Sequence, residues 1–267
     1  MVGMQQAASE DAGERRVDRL KVRSFATREE MAQRAADDIA AGLRAALAKK
    51  QQVRMVFAAA PSQADTLAAV LARDNIDWAR VTAFHMDEYI GLPERAPQRF
   101  ALWLDAHVFS RAPFREVVAL RPDPDPIAAA SAYAARLAEA EIDLVILGVG
   151  VNGHLAFNDP PVANFEDPQD VKIVELDAVC RQQQVDDGGF ATVDAVPSSA
   201  ITLTIPRLLR ADALYCVVPG AAKRAAIKAM LHGPLAPACP ASILRTQPHC
   251  TLYLDRESDP DASRTQD

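Results

Sequence analysis

The sequence predicts an α/β protein: one domain built on a mostly parallel sheet with helices on both faces. Three observations carry this expectation. Short aliphatic runs such as Leu144-Val145-Ile146-Leu147 have the pattern of strands buried on both sides. Such runs alternate with helical segments along the whole chain, the signature of strand–helix crossovers. The 267 residues, 49% apolar and 24% charged, supply a sizeable core with no repeat or linker to divide it.

Residues 1–20 carry mixed charge without periodicity and are expected to be a disordered leader, which leaves 21–260 as the domain. Thr27-Arg28-Glu29-Glu30 reads as a capping box. Met31, Ala35, Ile39, Leu43 and Leu47 extend it as an apolar helical stripe to Lys49. Residues 53–59 are strand-like, and Pro61-Ser62 restarts a helix that runs through Leu71. The next strand, 77–84, ends in the polar cluster His85-Met86-Asp87-Glu88-Tyr89. Gly91-Leu92-Pro93 breaks the chain before an amphipathic helix over 99–109. A short strand at 117–120, a turn at 122–126 and an alanine-rich helix at 127–140 precede the strand 144–147.

Beyond Pro161, residues 171–176 alternate as a strand does. Residues 186–194, with Gly188-Gly189, read as a loop or lid. A strand at 200–204 and a helical turn at 206–209 follow, then a buried strand at 214–218. Gly220 leads into a helix over 221–231, which Gly233 ends as a C-cap glycine before Pro234. Residues 251–254 make the last strand.

A net charge of −7 argues against a general binder of nucleic acid or anionic membrane. It leaves room for an anionic substrate, because local cations and helix N-termini bind phosphate whatever the overall sign. Cys180, Cys216, Cys239 and Cys250 are widely spaced, with no CxxC pair, and suit reduced residues of a cytosolic protein. No apolar run approaches the ~20 residues that cross a bilayer, and residues 1–23 contain no signal-peptide core. A cytoplasmic location is the expectation.

Gly148-Val149-Gly150-Val151-Asn152-Gly153 satisfies a dinucleotide fingerprint in letters but not in context. That fingerprint requires a helix to open at its third glycine, and Pro160-Pro161 stops any helix soon after His154. Asp167 and Asp170, near the position of the ribose-binding acid, fall in an irregular stretch rather than at a strand end. Neither a nicotinamide nor a flavin cofactor is expected, and no metal site.

What the loop does offer is His154, flanked by Asn152 and Asp159, at the carboxyl end of a buried strand, where open α/β sheets bind ligands. Histidine is the usual proton carrier near neutral pH, and a nearby carboxylate stabilises its protonated form. Asp87-Glu88 ends another strand. Adjacent side chains on extended backbone point to opposite sides, so one carboxylate can enter the site while the other meets backbone or solvent. Gly220-Ala221-Ala222-Lys223 is a third candidate, a turn into a helix with a lysine suited to phosphate. Ala58-Ala59-Ala60-Pro61-Ser62-Gln63 is a comparable turn without glycine.

Two motifs make a resemblance specific. Phe84-His85-Met86-Asp87-Glu88-Tyr89-Ile90-Gly91-Leu92-Pro93 resembles the FNMDEYxGLP segment of glucosamine-6-phosphate deaminases, also called isomerases. Gly148-Val149-Gly150-Val151-Asn152-Gly153-His154-Leu155-Ala156-Phe157-Asn158-Asp159-Pro160 is similar to that family's GIGxDGHIAFNEP. Val196-Pro197, Ala200-Ile201-Thr202-Leu203 and Gly220-x-x-Lys223 fall in the family's order. The wider superfamily includes 6-phosphogluconolactonase, but Ala156-Phe157-Asn158-Asp159 sits on the deaminase side.

The resemblance implies a NagB-like, modified Rossmann-like fold. It implies a cofactor-free isomerisation of glucosamine 6-phosphate, or a close analogue, to fructose 6-phosphate with loss of ammonia. By motif position Asp87 would be the general base acting between C2 and C1, and His154, beside Asn152 and Asp159, would assist ring opening. Ser62, Gln63, Arg181 and Lys223 would hold the phosphate, with Gly148, Gly150 and Ala156 against the sugar.

The chain departs from the family at Asn152, an aspartate there, at Asp159, a glutamate there, and at the glycine-free turn 58–63. Asparagine can orient an imidazole but supplies no charge. Asp159 is one methylene shorter than glutamate and reaches His154 only if its loop closes in. A lactonase or other sugar-phosphate isomerase, and a catalytically weak sugar-phosphate-binding regulator, stay open as alternatives. So do homo-oligomerisation and the epimer of the sugar.

Overall fold

The structure, a computed structural model, describes residues 13–262. In chain order its elements begin with β1 (Glu14–Val17), β2 (Leu20–Phe25), α1 (Arg28–Lys49), β3 (Val53–Phe57) and α2 (Ala64–Leu71). Then come β4 (Val81–His85), β5 (Asp87–Tyr89), α3 (Phe100–His107), β6 (Glu116–Val118), α4 (Pro126–Ala138) and β7 (Ile142–Leu147). The last third holds β8 (Val171–Glu175), α5 (Ala178–Asp186), β9 (Ser199–Leu203), α6 (Ile205–Leu209), β10 (Ala211–Val218), α7 (Arg224–His232) and β11 (Cys250–Asp255).

The main sheet has the strand order β1-β2-β11-β10-β7-β3-β4-β6, and every pair in it except β1–β2 is parallel. Alternation along β7 shows why both faces need covering. Leu144 and Ile146 pack into a core with Met31, Ile39 and Leu43 of α1 and Leu67 of α2. Val145 and Leu147 point the other way, against Tyr133 and Leu137 of α4 and Ile227 and Met230 of α7. The strand reads as a continuous aliphatic run because neither face meets water.

The α1 start behaves as its sequence suggests, with one change. The Thr27 hydroxyl accepts the Glu30 N–H at 3.1 Å, but Glu30 returns its bond to the Ala26 N–H, at 3.2 Å, one residue before the cap. Gly42 lets α1 lie close to the sheet, since a Cβ there would stand 2.1 Å from the Tyr215 hydroxyl oxygen.

Several expectations are corrected. Residues 1–12 of the expected leader lie outside the described residues, but residues 14–17 and 20–25 form the β1–β2 hairpin at the sheet edge. Its charges hid it. Arg15 donates to both Asp259 oxygens at 3.0 and 2.7 Å, a partner 244 positions away that periodicity does not reveal. The strands near 171 and 200 do not join the main sheet. They form a separate antiparallel sheet, β5-β9-β8, over a third apolar cluster containing Tyr89, Phe157, Val174 and Ala200. The 186–194 loop is shorter than expected, because α5 reaches Asp186 and residues 193–195 make a further helical turn. Gly233 caps α7 in an extended conformation, φ −79°, so handedness does not require glycine there; space does, since a Cβ would fall 2.5 Å from the Ala229 carbonyl oxygen.

All four cysteines are free thiols. No described helix is long and apolar enough to cross a membrane.

Candidate active site

The sheet order places the site. From β3 the chain moves outward through β4 to β6, then returns to β7 on the other side of β3 and moves outward again through β10 to β11. Connections from β3 and β7 therefore leave in opposite directions, and a crevice opens between their carboxyl ends. The turn 58–63 after β3, Asp87 after β4, the Gly148-Val149-Gly150 loop after β7 and Lys223 after β10 all line this one cleft.

The β7 loop is built to present an imidazole. Gly150 N–H donates to the His154 carbonyl at 3.0 Å and Gly153 N–H to the Gly150 carbonyl at 2.9 Å, folding the loop back on itself. Gly153 has φ +85°, which a side chain disfavours. The His154 ring lies on Gly150 so closely that a Cβ would sit 2.2 Å from it. Ala156, at φ 50°, takes the left-handed conformation. Asn158 fixes that bend by donating to the carbonyls of Leu155 and Leu203, both at 2.8 Å.

This closure brings Asp159 to the histidine. Asp159 Oδ1 lies 2.9 Å from His154 Nδ1 and accepts the Asn152 Nδ2–H at 2.9 Å. The His154 contact has the separation of an ion pair, but the ring N–H does not point along it as in a linear hydrogen bond. Asn152 also accepts the His154 backbone N–H through Oδ1 at 3.1 Å. Burial pushes the Asp159 carboxyl up, but the contacts from His154 and Asn152 outweigh it and leave it below the usual range. The shorter side chain thus reaches its partner.

Cys180 stands beside this pair, and the ligand atoms of His154, Asp159 and Cys180 lie within 4.8 Å of one another. A divalent metal would need the thiolate. Burial, and then the Asp159 charge, push the Cys180 thiol far up, which disfavours the thiolate such a metal would need.

Asp87 and Glu88 divide as extended backbone requires. Asp87 faces the cleft, and burial followed by the Glu88 charge holds its carboxyl well above the ordinary range. Glu88 is fully buried and accepts the N–H groups of Tyr89 at 3.0 Å, Phe100 at 3.1 Å and Ala101 at 3.0 Å, so it caps the start of α3. Burial pushes its carboxyl up to about 7, against the pull of those donors. His85, also fully buried, accepts the Leu120 N–H on Nε2 at 2.8 Å. Its Nδ1, 3.0 Å from the Asp87 carbonyl, must therefore carry the proton.

Among the expected anion-binding residues, the structure separates three situations. Lys223 is the one lysine or arginine lining the cleft among the described residues, and burial pushes its ammonium down. Ser62 lines the same wall on the turn into α2. Gln63 is at the cleft but fully buried, and its Nε2 donates to the Val217 carbonyl at 2.9 Å. It joins β3 to β10, and Gly148 is small because a Cβ there would stand 2.9 Å from that nitrogen.

Arg181 is not in the cleft. Its guanidinium donates to the carbonyls of Val193 and Val196 at 2.6 and 2.9 Å, and it lines a separate surface hollow with Asp194. Helical geometry explains the correction, because positions 180, 183, 184 and 187 share the cleft-facing side of α5 and 181 turns away. Gln183, Gln184 and Asp187 on that side line the cleft, and none of them is among the expected site residues. Their spacing of three and four from Cys180 was the available signal.

Known proteins resemble this chain along most of its length. A family model described as glucosamine-6-phosphate isomerases/6-phosphogluconolactonase matches residues 26–253. A glucosamine-6-phosphate deaminase of Lactobacillus delbrueckii subsp. bulgaricus is 31% identical over 189 residues, 70% of this chain and 78% of the relative. One from Bacillus thuringiensis is 32% identical over 195 residues, 71% of each. Among solved structures, a monomeric glucosamine-6-phosphate deaminase of the NagB superfamily superposes with a TM-score of 0.81 at 24% identity, over 89% of this chain and 98% of that one. A 6-phosphogluconolactonase from Thermotoga maritima superposes at 0.71 and 18% identity, over 88% and 98%. At these identities the structural likeness bears on the fold, which it shares.

Proposed function

The chain belongs to the glucosamine-6-phosphate isomerase/6-phosphogluconolactonase enzyme family, and we propose that within it the activity is that of an amino-sugar-phosphate deaminase. It would convert glucosamine 6-phosphate, or a close analogue, to fructose 6-phosphate and ammonia. One observation carries the reading: a buried carboxylate, Asp87, whose affinity for a proton burial raises, shares a cleft with an imidazole held by Asp159. The curated relatives named as deaminases support it.

The reaction needs two proton carriers. His154 moves a proton from the anomeric hydroxyl towards the ring oxygen, the C1–O5 bond breaks, and an aldehyde forms at C1. Asp159 stabilises the imidazolium that appears on the way. Asp87 then takes the proton from C2 and returns it to C1. The C2–H electron pair forms the C1=C2 bond of an enolamine while the C1 oxygen takes a proton from the 2-ammonium group. The nitrogen lone pair then closes C2=N as Asp87 delivers its proton to C1, and water hydrolyses the resulting iminium to the ketone with release of ammonia. Electrons balance within the substrate, so the sequence of steps calls on no redox partner. Lys223 and the Ser62 turn would hold the phosphate, and Gly148 and Gly150 let backbone approach the sugar.

Burial raises the basicity of Asp87, which suits abstraction of a carbon-bound proton. The purified protein is expected to release ammonia and fructose 6-phosphate in equal amounts from glucosamine 6-phosphate with no added cofactor. Hydrolysis of 6-phosphogluconolactone far faster than ammonia release would overturn the assignment in favour of a lactonase. Tight binding of glucosamine 6-phosphate without turnover would point instead to a regulator.

A further inference from the structure

The phosphate end of the cleft carries a charge that the reaction does not explain. Asp187 lines the cleft together with Lys223, and its negative field partly offsets the effect of burial on that ammonium. The Asp187 carboxylate accepts the Gln183 Nε2–H at 3.1 Å, and Gln183 Oε1 accepts the Val151 N–H at 2.9 Å. Gln183 is buried, so this chain of contacts runs from the glycine loop through the cleft wall to the carboxylate. The fold gains little from having an acid there. Asp187 caps the carboxyl end of α5, whose last turn contains no basic residue. The negative end of the helix dipole disfavours an anion at that place.

We propose that Asp187 is a specificity-determining residue of the phosphate end, an internal carboxylate that competes with the substrate's phosphate for Lys223. The inference rests on Lys223 being the phosphate anchor of the reading above. Asp187 and Lys223 line the same cleft, and the carboxylate's field acts on the ammonium. A phosphate dianion entering beside Lys223 meets that negative charge as well, whereas a hydroxyl finds both a donor and an acceptor. Asp187 therefore narrows the difference in affinity between phosphorylated and unphosphorylated amino sugars.

Inorganic phosphate probes this end alone. Calorimetric titration of the wild-type and Asp187→Asn proteins is expected to show phosphate binding roughly threefold to tenfold tighter in the variant, the size of one partly screened ion pair. The KM for glucosamine 6-phosphate should fall in the same proportion, while that for unphosphorylated glucosamine should not fall. Asp186→Asn removes the same charge one residue away, outside the cleft lining, and should leave the phosphate titration as in wild type.

Unchanged or weakened phosphate binding in Asp187→Asn overturns the proposal, and so does equal tightening in Asp186→Asn. If glucosamine 6-phosphate is not turned over but phosphate binding still tightens, the catalytic reading fails and this one stands. Turnover without tightening is the reverse result.

Discussion

Asp159 Oδ1 lies 2.9 Å from the His154 ring nitrogen and accepts the Asn152 amide at the same distance. That geometry decides what Asn152 contributes. An amide can donate to Asp159 and accept from the His154 backbone at once, which an ionised aspartate cannot do. Asn152→Asp would place two carboxylates in contact, and one of them would have to keep a proton. The variant is expected to lose activity at neutral pH and recover part of it on acidification, as a shared proton restores the bond. A pH–rate profile checks this, and wild-type activity at pH 7 would contradict it. Asp87 gives a profile of the other kind. As a base it works only when ionised, so with its carboxyl held above the usual range kcat/KM should rise with pH on an acidic limb displaced upward from that of an ordinary carboxylate. Asp87→Asn should remove the limb and lower kcat by roughly 10²–10⁴-fold. Full retention of C2 proton exchange with solvent in that variant would exclude Asp87 as the base.

Loops at the ends of β3, β4, β7 and β10 carry the cleft, and their legibility followed from physics that differs between elements. Parallel strands buried on both faces read as aliphatic runs, so β7 and β10 were plain in the sequence, as were the polar residues that follow them. The β1–β2 hairpin was not, because its arginines are satisfied by distant acids such as Asp259. The β5-β9-β8 sheet was hidden differently: β5 has three residues, and its partner β9 lies more than a hundred positions along the chain. In α5, glutamines and an aspartate leave no apolar stripe for periodicity to find, and Gln183, Gln184 and the following Asp187 go unmarked with it. The resemblance puts Arg181 at the phosphate, but in this segment Gln183, Gln184 and Asp187 line the cleft and Arg181 lines a separate hollow. The β7 loop offers the sharpest test at this scale. A Gly150→Ala methyl would overlap the His154 ring, since its Cβ position is 2.2 Å away. The ring has to move, at a cost of about 1–3 kcal/mol and on the order of a hundredfold in activity. Thermal unfolding and kcat/KM measured on the same sample separate the two effects, and a variant with unchanged kcat/KM would show that the stacking on Gly150 is not required.

Across the whole molecule, the cleft needs ionisable groups near the centre of a sheet that is otherwise apolar, and stability must absorb them. Two fully buried neighbours do so with opposite signs. His85 links β4 to Leu120 and to the Asp87 carbonyl only in its neutral form, and burial lowers its pKa from 6.5 to about 4. Its stabilising contribution is complete above pH 6.5 and disappears as pH falls towards about 4. Glu88 runs the other way. Burial raises it from 4.5 to about 7, so its contribution is complete below pH 4.5 and disappears as pH rises through about 7. Each is worth on the order of 3 kcal/mol over its window. Between pH 4.5 and 6.5 the windows overlap and Glu88 offsets His85, so the raised Asp87 is left to make the wild-type protein gain stability as the pH falls there. Replacing one partner exposes the other. His85→Gln, which can still accept and donate through its amide, should become more stable on acidification across that interval, because Glu88 and the similarly raised Asp87 then act unopposed. Glu88→Gln should be less stable throughout, since one N–H of the α3 cap loses its acceptor, and should gain less on acidification than the wild type, because only Asp87 then opposes His85. Melting curves at half-unit steps of pH read both slopes. If the two variants show the same slope, the balance does not lie between these two residues.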